Sequence, residues 1–239
     1  MNKTDRRYQM YLDILQEELL PALGCTEPIA VAYAAANARS VLPGAPERLE
    51  VAVSNNIVKN VKSVIVPNTG GMRGIAAALC AGVIAGDAEA LLEVIAGVTP
   101  SQKEEIKTYM DQVTPKITPA STGHVFEIDL TVSKGAENAR VRIVDTHTNI
   151  ILIEKNGQSL FQKDVCSDEK EKKTDHSILN IEDIIDFANT VDTEDVKDVL
   201  ERQIHYNMAI SEEGLRGNYG ANIGKVLLHT YGDNIKIRA

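Results

Sequence analysis

The sequence predicts an α+β fold in which helices pack on one face of a largely antiparallel sheet. Apolar residues recur at helical spacing near both ends of the chain and in two Ala-rich segments. Between them, apolar and polar residues alternate in short runs separated by turn signals, which indicates half-buried strands. We therefore expect one domain over residues 1–239, with a β-meander at 115–163 and helical regions at 1–42, 72–113 and 180–232.

The first helix is predicted over residues 6–20 because its apolar residues share one face: Tyr8, Tyr11, Leu12, Leu15 and Leu19. Pro21 and Gly24 end this helix. A second, Ala-rich helix is predicted from Pro28 to about Val41, with Thr26 as its N-cap.

The remaining elements are predicted from the same helical spacing and the same strand alternation. Strands are predicted at 49–53 and 61–66, with the polar segment SNNIVKN (54–60) between them. Further helix is expected after residue 72, including 87–96 and 101–112. The meander is predicted from alternating runs and from the hairpin signal Asn156-Gly157. Helices are predicted near the end of the chain at 181–211 and 221–231.

Composition excludes several classes of protein. Hydrophobic residues make up 44% of the chain and charged residues 25%, and the formal net charge is -9. No basic stripe could neutralise phosphates, so no nucleic-acid partner is expected. No apolar run reaches the length of a membrane span, so no membrane partner is expected. The three cysteines are far apart and odd in number, which favours reduced thiols and a cytoplasmic location.

Cys25, in LGCTEP, is the cysteine best placed for a role as a nucleophile or metal ligand. The positive end of a helix lowers the pKa of a nearby thiol and favours the thiolate, which is a nucleophile and a metal ligand. The alternative is a small buried residue in a tight turn. Cys80 lies among apolar residues and is expected in the core, and Cys166 falls in a charged loop.

Three polar segments are candidate binding loops for a small carboxylate or amine. They supply Ser54, Asn55, Lys59 and Asn60; Asn68, Thr69, Gly70 and Gly71; and His147, Thr148 and Asn149. Amide, ammonium and backbone N–H donors suit a carboxylate, and a histidine exchanges protons near neutral pH. Each segment also has an ordinary interpretation as a polar turn, a helix-entry turn or an exposed loop.

Taken together, several segments resemble the L-cysteine desulfidase family, also called the serine dehydratase-like α-chain family. They are EELLPALGCTEPIAVAYAAA, VSNNIVKNV, VPNTGGMRGIAAALCA, HTNI and AISEEGLRGNYGANIG. The order of the segments resembles the N-terminal half of that family.

The resemblance implies an iron-sulfur-dependent lyase that works without pyridoxal phosphate and converts L-cysteine and water to sulfide, ammonia and pyruvate. It implies that Cys25 is one ligand of a [4Fe-4S] cluster and that the polar loops bind the amino acid. The other cluster cysteines of the family lie in its C-terminal half, so this chain alone is expected to be inactive.

Other functions are compatible with the same residues. The enzyme could instead be an L-serine dehydratase, or the chain could be a non-catalytic amino-acid-binding module derived from such an enzyme. A C-terminal half or a partner chain is expected to complete the site, because the last residues, GDNIKIRA, read as the beginning of another element. A homodimer is a further possibility, and the base that removes the α-proton stays unassigned.

Overall fold

A computed structural model describes residues 1–163 and 174–232 and confirms the α+β fold. Within these ranges eight α-helices accompany one six-stranded sheet. In chain order the elements are α1 (Arg6–Glu18), α2 (Thr26–Ser40), β1 (Arg48–Val53), α3 (Asn55–Val61), α4 (Gly74–Ala85), α5 (Pro100–Gln112), β2 (Lys116–Pro119), β3 (Glu127–Lys134), β4 (Glu137–Val144), β5 (Ile150–Lys155), β6 (Gln158–Gln162), α6 (Ile181–Thr190), α7 (Thr193–Arg216) and α8 (Ile223–Tyr231).

The chain divides into two compact units, each with its own core. The sheet unit spans Ala22–Glu169, and the helical unit combines Met1–Pro21 with Lys170–Ala239. The core of the sheet unit is aliphatic, whereas the smaller core of the helical unit centres on Tyr8, Tyr11 and Phe187. The assignment of residues 1–239 to a single domain stays a prediction.

The sheet has the order β2-β1-β3-β4-β5-β6 and is antiparallel except for the β1–β2 pair. The predicted alternation places Leu130 beside Val51 on one neighbouring strand and Val141 on the other, and all three are buried. Helix α2 packs on β3 and β4 and also on α4, so it lies in the interior of the unit. This burial on all sides explains why α2 has no polar face.

Helices α2 and α4 pack closely because small residues face each other. A Cβ atom added at Gly82 would overlap the backbone of Ala32, so only glycine fits at this crossing. The Ala-rich sequences of both helices are therefore a packing requirement of this interior layer.

Residues 61–66 and 87–96 do not have the predicted structures. Residues 61–66 do not form a strand, because Asn55–Val61 is helix α3 and only Ile65 makes an isolated bridge, to Arg73. Ile57 and Val61 are one helical turn apart and both fully buried, so the core selects a helix despite the β-branched residues. The predicted helix at 87–96 is reduced to the 3₁₀ turn Leu91–Glu93.

The helical unit forms where aromatic rings of α1 and α6 meet. The rings of Tyr11 and Phe187 stack with centroids 5.0 Å apart, and Tyr8 contacts Phe187 edge-on at 5.5 Å. The predicted helix at 181–211 is in fact two helices, since α6 ends at Thr190 and Asp192 caps α7 by accepting a hydrogen bond from the Glu194 amide. In the described part of the chain, every helix is too short or too polar to cross a membrane.

Candidate functional site

Cys25 lies at the start of α2, as predicted, but as the N-cap residue in place of Thr26. Gly24, with φ +116°, adopts a left-handed backbone that favours glycine and turns the chain into the helix. The Cys25 side chain is partly exposed, and its Sγ donates a hydrogen bond to Glu27 Oε2 over 3.0 Å. The thiol therefore faces a carboxylate of its own helix.

The carboxylate of Glu27 joins Cys25 to helix α3. Its second oxygen, Oε1, accepts a hydrogen bond of 2.9 Å from Asn60 Nδ2. Hydrogen bonds from Cys25 and Asn60 lower the pKa of Glu27 and outweigh the effect of its partial burial. Glu27 is thus a carboxylate near neutral pH, held by donors from two helices.

The same contacts change the expected state of the thiol. Partial burial, and then the hydrogen bond to the Glu27 carboxylate, raise the pKa of Cys25 above its usual value. The prediction that the helix start would favour a thiolate is therefore wrong for this arrangement. Loss of water and the neighbouring carboxylate raise the pKa by more than the hydrogen bond from the Glu27 backbone N–H lowers it.

His147 approaches the same helix start from the turn between β4 and β5. Its Nε2 lies 3.0 Å from Thr26 Oγ1, and its ring packs against Phe126 with centroids 4.5 Å apart. Burial lowers the pKa of His147, and the charge of Glu27 opposes this only in part. The imidazole is therefore neutral near pH 7 and able to accept a proton.

These contacts define the thiol–carboxylate cluster, which consists of Cys25, Thr26, Glu27, Asn60 and His147. All five residues belong to the sheet unit. The cluster brings a thiol, a carboxylate, an amide, a hydroxyl and an imidazole to the start of one helix. It unites three residues predicted as site residues with Thr26, which we predicted only as an N-cap, and with Glu27.

Other predicted site residues use their polar atoms within the fold. Ser54 Oγ accepts a hydrogen bond from the Glu127 amide (3.3 Å), and Asn68 Nδ2 donates to the carbonyls of Ile95 and Ala96. The fully buried Thr69 donates to the Val66 carbonyl over 2.7 Å. These contacts fix α3 and the loop before α4, so the support that they give to the cluster is structural.

The remaining predicted residues lie at or near the surface. Asn55 and Lys59 are exposed on α3, and Gly70 and Gly71 are exposed with positive φ. Thr148 and Asn149 are partly exposed in the β4–β5 turn, where Asn149 Nδ2 donates to the Val144 carbonyl over 3.0 Å. Their role in binding stays a prediction.

A buried ion pair beside α3 was not expected from the sequence. The alternating pattern predicts that Glu127 faces solvent, but it is only 1% exposed. Its Oε1 accepts two hydrogen bonds from Arg142, from Nε at 2.9 Å and from Nη2 at 2.7 Å. Its Oε2 accepts a hydrogen bond from the Thr122 hydroxyl. Since the Glu127 backbone also pairs with Ser54, this ion pair fixes the start of the helix that carries Asn60.

Of the two cysteines that the structure describes, Cys25 belongs to the thiol–carboxylate cluster and Cys80 does not. Cys80 is fully buried in α4, where desolvation raises its pKa to about 12, and Cys166 lies outside the described residues. Within residues 1–163 and 174–232, no group of three or more His, Cys, Asp and Glu side chains is placed to hold a metal ion. The described residues thus do not by themselves fit a [4Fe-4S] cluster, which usually takes several thiolates.

Comparison with known proteins places this chain beside proteins called UPF0597. It is 49% identical over 239 residues to a UPF0597 protein of Desulfitobacterium hafniense. The aligned region covers 100% of this chain and 56% of that protein. A relative in Lachnoclostridium phytofermentans is 46% identical over 234 residues, which are 97% of this chain and 55% of the relative. A relative in Treponema denticola is 41% identical over 229 residues, which are 95% of this chain and 53% of the relative. The chain spans about half the length of the curated relatives it matches. Neither a protein-family model nor a solved structure matches it.

These relatives correct the resemblance drawn from the sequence. The proteins that match over nearly the whole chain carry the UPF0597 name, and the relatives compared here have no cysteine desulfidase or serine dehydratase name. The assignment to the L-cysteine desulfidase family is therefore wrong by this comparison.

Proposed function

We propose that this chain contributes a substrate-binding site to a cytoplasmic lyase for a small polar amino acid such as L-cysteine or L-serine. The observation that carries the proposal is the thiol–carboxylate cluster, in which Glu27 links Cys25 (3.0 Å) to Asn60 (2.9 Å). An amino acid needs an anion for its ammonium and hydrogen-bond donors for its carboxylate. The cluster and the adjoining helix start provide both kinds of group.

The charges support a defined arrangement of the substrate. Because its pKa is lowered, Glu27 is ionised near pH 7 and suits the ammonium group. The first backbone N–H groups of α2 suit the carboxylate, since no side-chain cap of α2 occupies them. This arrangement directs the α-carbon of the amino acid towards the side chains that enter from α3 and the β4–β5 turn.

Elimination from such an amino acid needs a base for the α-proton. The neutral imidazole of His147 is the candidate, because its lowered pKa keeps it unprotonated near pH 7. Loss of the α-proton and of sulfide or water gives an enamine. The enamine tautomerises to an imine, and its hydrolysis releases ammonia and pyruvate, which balances the overall reaction with one added water.

A [4Fe-4S] cofactor remains part of the proposal only with additional ligands. Cys25 would supply one thiolate, and the other ligands would come from a C-terminal half or a partner chain. We assign no step of the reaction to the cofactor.

The experiment measures sulfide, ammonia and pyruvate released from L-cysteine and L-serine without oxygen. The chain is assayed alone and together with the unmatched portion of the Desulfitobacterium hafniense relative. We expect turnover in the combined sample and a loss of about 100-fold or more in Glu27→Gln and His147→Ala. Val58→Ala, which shortens an exposed side chain on the helix that carries Asn60, is the control and should keep its activity.

Calorimetric titration with L-cysteine separates the alternatives. Binding that is weakened in Glu27→Gln, without any product in either sample, would replace the lyase by an amino-acid-binding module. Neither binding nor product would reject both functions.

A further inference from the structure

The second half of α7 and helix α8 carry an extensive apolar surface. Its side chains are exposed by between 37% and 70%, which is unusual for large hydrophobic residues. We call it the α7–α8 face and define it by Ile204, Tyr206, Met208, Ile210, Leu215, Ile223, Val226, Leu227 and Tyr231. It belongs to the helical unit and shares no residue with the thiol–carboxylate cluster.

The face continues the side of α7 that is already packed. Val196 is buried in the aromatic core of the helical unit, and Leu200 packs against that core one turn later. Beyond Leu200, the apolar residues go on to Ile204 and Ile210, which are 60% and 70% exposed. The first half of α7 is thus anchored, whereas the described residues leave the second half uncovered.

The large apolar residues in the second half of α7 form two stripes. At 100° per residue, Ile204, Leu215 and Met208 lie within about 40° of one another, and Tyr206 and Ile210 do so as well. Gln203, Asn207 and Ser211 lie between the two stripes. Charged and imidazole side chains occupy the remaining arc: Asp198, Glu201, His205, Glu212 and Arg216. Large apolar side chains that are exposed together on one helix mark a surface for contact with another element.

Helix α8 is held beside α7 and widens the same face. The side chain of Leu215 lies against Gly224, and Lys225 Nζ donates a hydrogen bond to the Gly217 carbonyl at the end of α7. The exposed residues Ile223, Val226, Leu227 and Tyr231 follow helical spacing. Two neighbouring helices therefore both present exposed apolar side chains.

We propose that the α7–α8 face binds the part of the polypeptide by which the longer relatives exceed this chain. The Desulfitobacterium hafniense protein matches all 239 residues of this chain with only 56% of its own length, so it has ample further chain to cover such a surface. The occupant is an apolar surface of that further portion, either joined to this chain or supplied as a separate polypeptide. Pairing of two copies is less favourable, since each carries a net charge of -9 and like charges repel.

The test combines this chain with the unmatched portion of the Desulfitobacterium hafniense relative as a second, differently tagged polypeptide. Co-purification and size-exclusion chromatography with light scattering measure the complex and its stoichiometry. We expect a one-to-one complex, and affinity that is weaker by about tenfold or more in Ile204→Glu and in Ile210→Glu. Ala209→Glu, next to Ile210 but on the charged arc, is the matched control and should bind like the unchanged chain.

Circular dichroism of each isolated variant shows whether a loss of binding reflects unfolding. Because Ile204 and Ile210 are exposed, helix content and melting temperature should stay unchanged. The proposal is overturned by a monomeric chain that forms no complex, by equal binding of all variants, or by a homodimer of this chain that Ile204→Glu dissociates. The assay measures assembly alone, so its outcome is independent of whether the amino-acid lyase reaction occurs.

Discussion

At the scale of single residues, the site depends on the two hydrogen bonds that the Glu27 carboxylate accepts. One of its oxygens accepts from the thiol of Cys25 and the other from the amide of Asn60. The carboxylate is stabilised as an anion, and the thiol beside it is stabilised as a neutral acid. A bound ammonium group that neutralised Glu27 would reverse part of this effect and favour loss of the thiol proton.

Replacing Glu27 by Gln should therefore make Cys25 more reactive. Without the carboxylate, the raised pKa of Cys25 should fall towards its usual value, so that more thiolate is present at a given pH. The measurement is the alkylation rate of Cys25 by iodoacetamide between pH 7 and pH 10, followed by peptide mass spectrometry. The midpoint should move to lower pH.

Two controls make this result specific to the carboxylate. Cys80, which is fully buried, should stay unreactive in both proteins as long as they are folded. Asn55→Ala should leave the midpoint unchanged. An unchanged or higher midpoint in Glu27→Gln would show that burial alone raises the pKa of Cys25.

The sequence identified Cys25, Asn60 and His147 as candidates but not what joins them. Cys25 and Glu27 are two residues apart, so their proximity could have been expected from the LGCTEP segment. Asn60 and His147 are distant in the chain, and only the packing of α3 and the β4–β5 turn brings them to α2. Pairing of this kind depends on tertiary structure and leaves no local pattern.

At the scale of elements, periodicity predicted most helices and strands because burial of one face leaves a regular pattern. It failed for residues 54–66, where a seven-residue helix has only about two turns, too few to distinguish its periodicity from that of a short buried strand. It failed again at Glu127, since a buried ion pair with Arg142 satisfies a carboxylate that the pattern assigns to solvent.

Gly82 should be the glycine that the α2–α4 layer needs most. In Gly82→Ala, the added methyl group would overlap the backbone of Ala32, so the two helices would have to separate. Overpacking of this kind costs about 1–3 kcal/mol, and a rigid backbone neighbour places it at the upper end. Thermal unfolding followed by circular dichroism measures the loss.

Gly97→Ala is the matched control, because nothing lies within 4 Å of its added Cβ atom. Its melting temperature should stay close to that of the unchanged protein. Equal melting temperatures for the two variants would mean that α2 and α4 are packed less closely than described.

At the scale of the whole molecule, the two units are stabilised in different ways. The sheet unit has a large aliphatic core, whereas the helical unit combines a small aromatic core with many exposed ion pairs. Lys3 pairs with both Asp192 and Asp195 over 2.8 Å, and Arg7 pairs with Asp5 and Asp183. These carboxylates have lowered pKa values, first because of side-chain hydrogen bonds: from Arg7 to Asp5, from Asn180 to Asp183, and from Lys3 to Asp192 and Asp195.

The helical unit should consequently lose stability in acid. A carboxylate whose pKa is lower in the folded than in the unfolded state stabilises the fold above its unfolded pKa, and this contribution disappears as the pH falls through the folded pKa. The pKa of Asp5 is lowered to about 2, so the loss should extend from about pH 4 to about pH 2. Hydrogen exchange followed by mass spectrometry should show falling protection of α1, α6 and the first half of α7 in this range.

Removing Lys3 tests the cause of this acid response. In Lys3→Ala, the pKa values of Asp192 and Asp195 should return towards normal, because both are lowered first by their hydrogen bonds to Lys3. Protection of α7 should then be weaker at pH 6 and should change less between pH 5 and pH 2. Lys197→Ala, on the same helix but paired only with Glu194 at 3.8 Å among the described contacts, should keep the full response. If both variants respond to acid alike, the ion pairs of Lys3 do not stabilise the helical unit, and its acid response must come from other carboxylates.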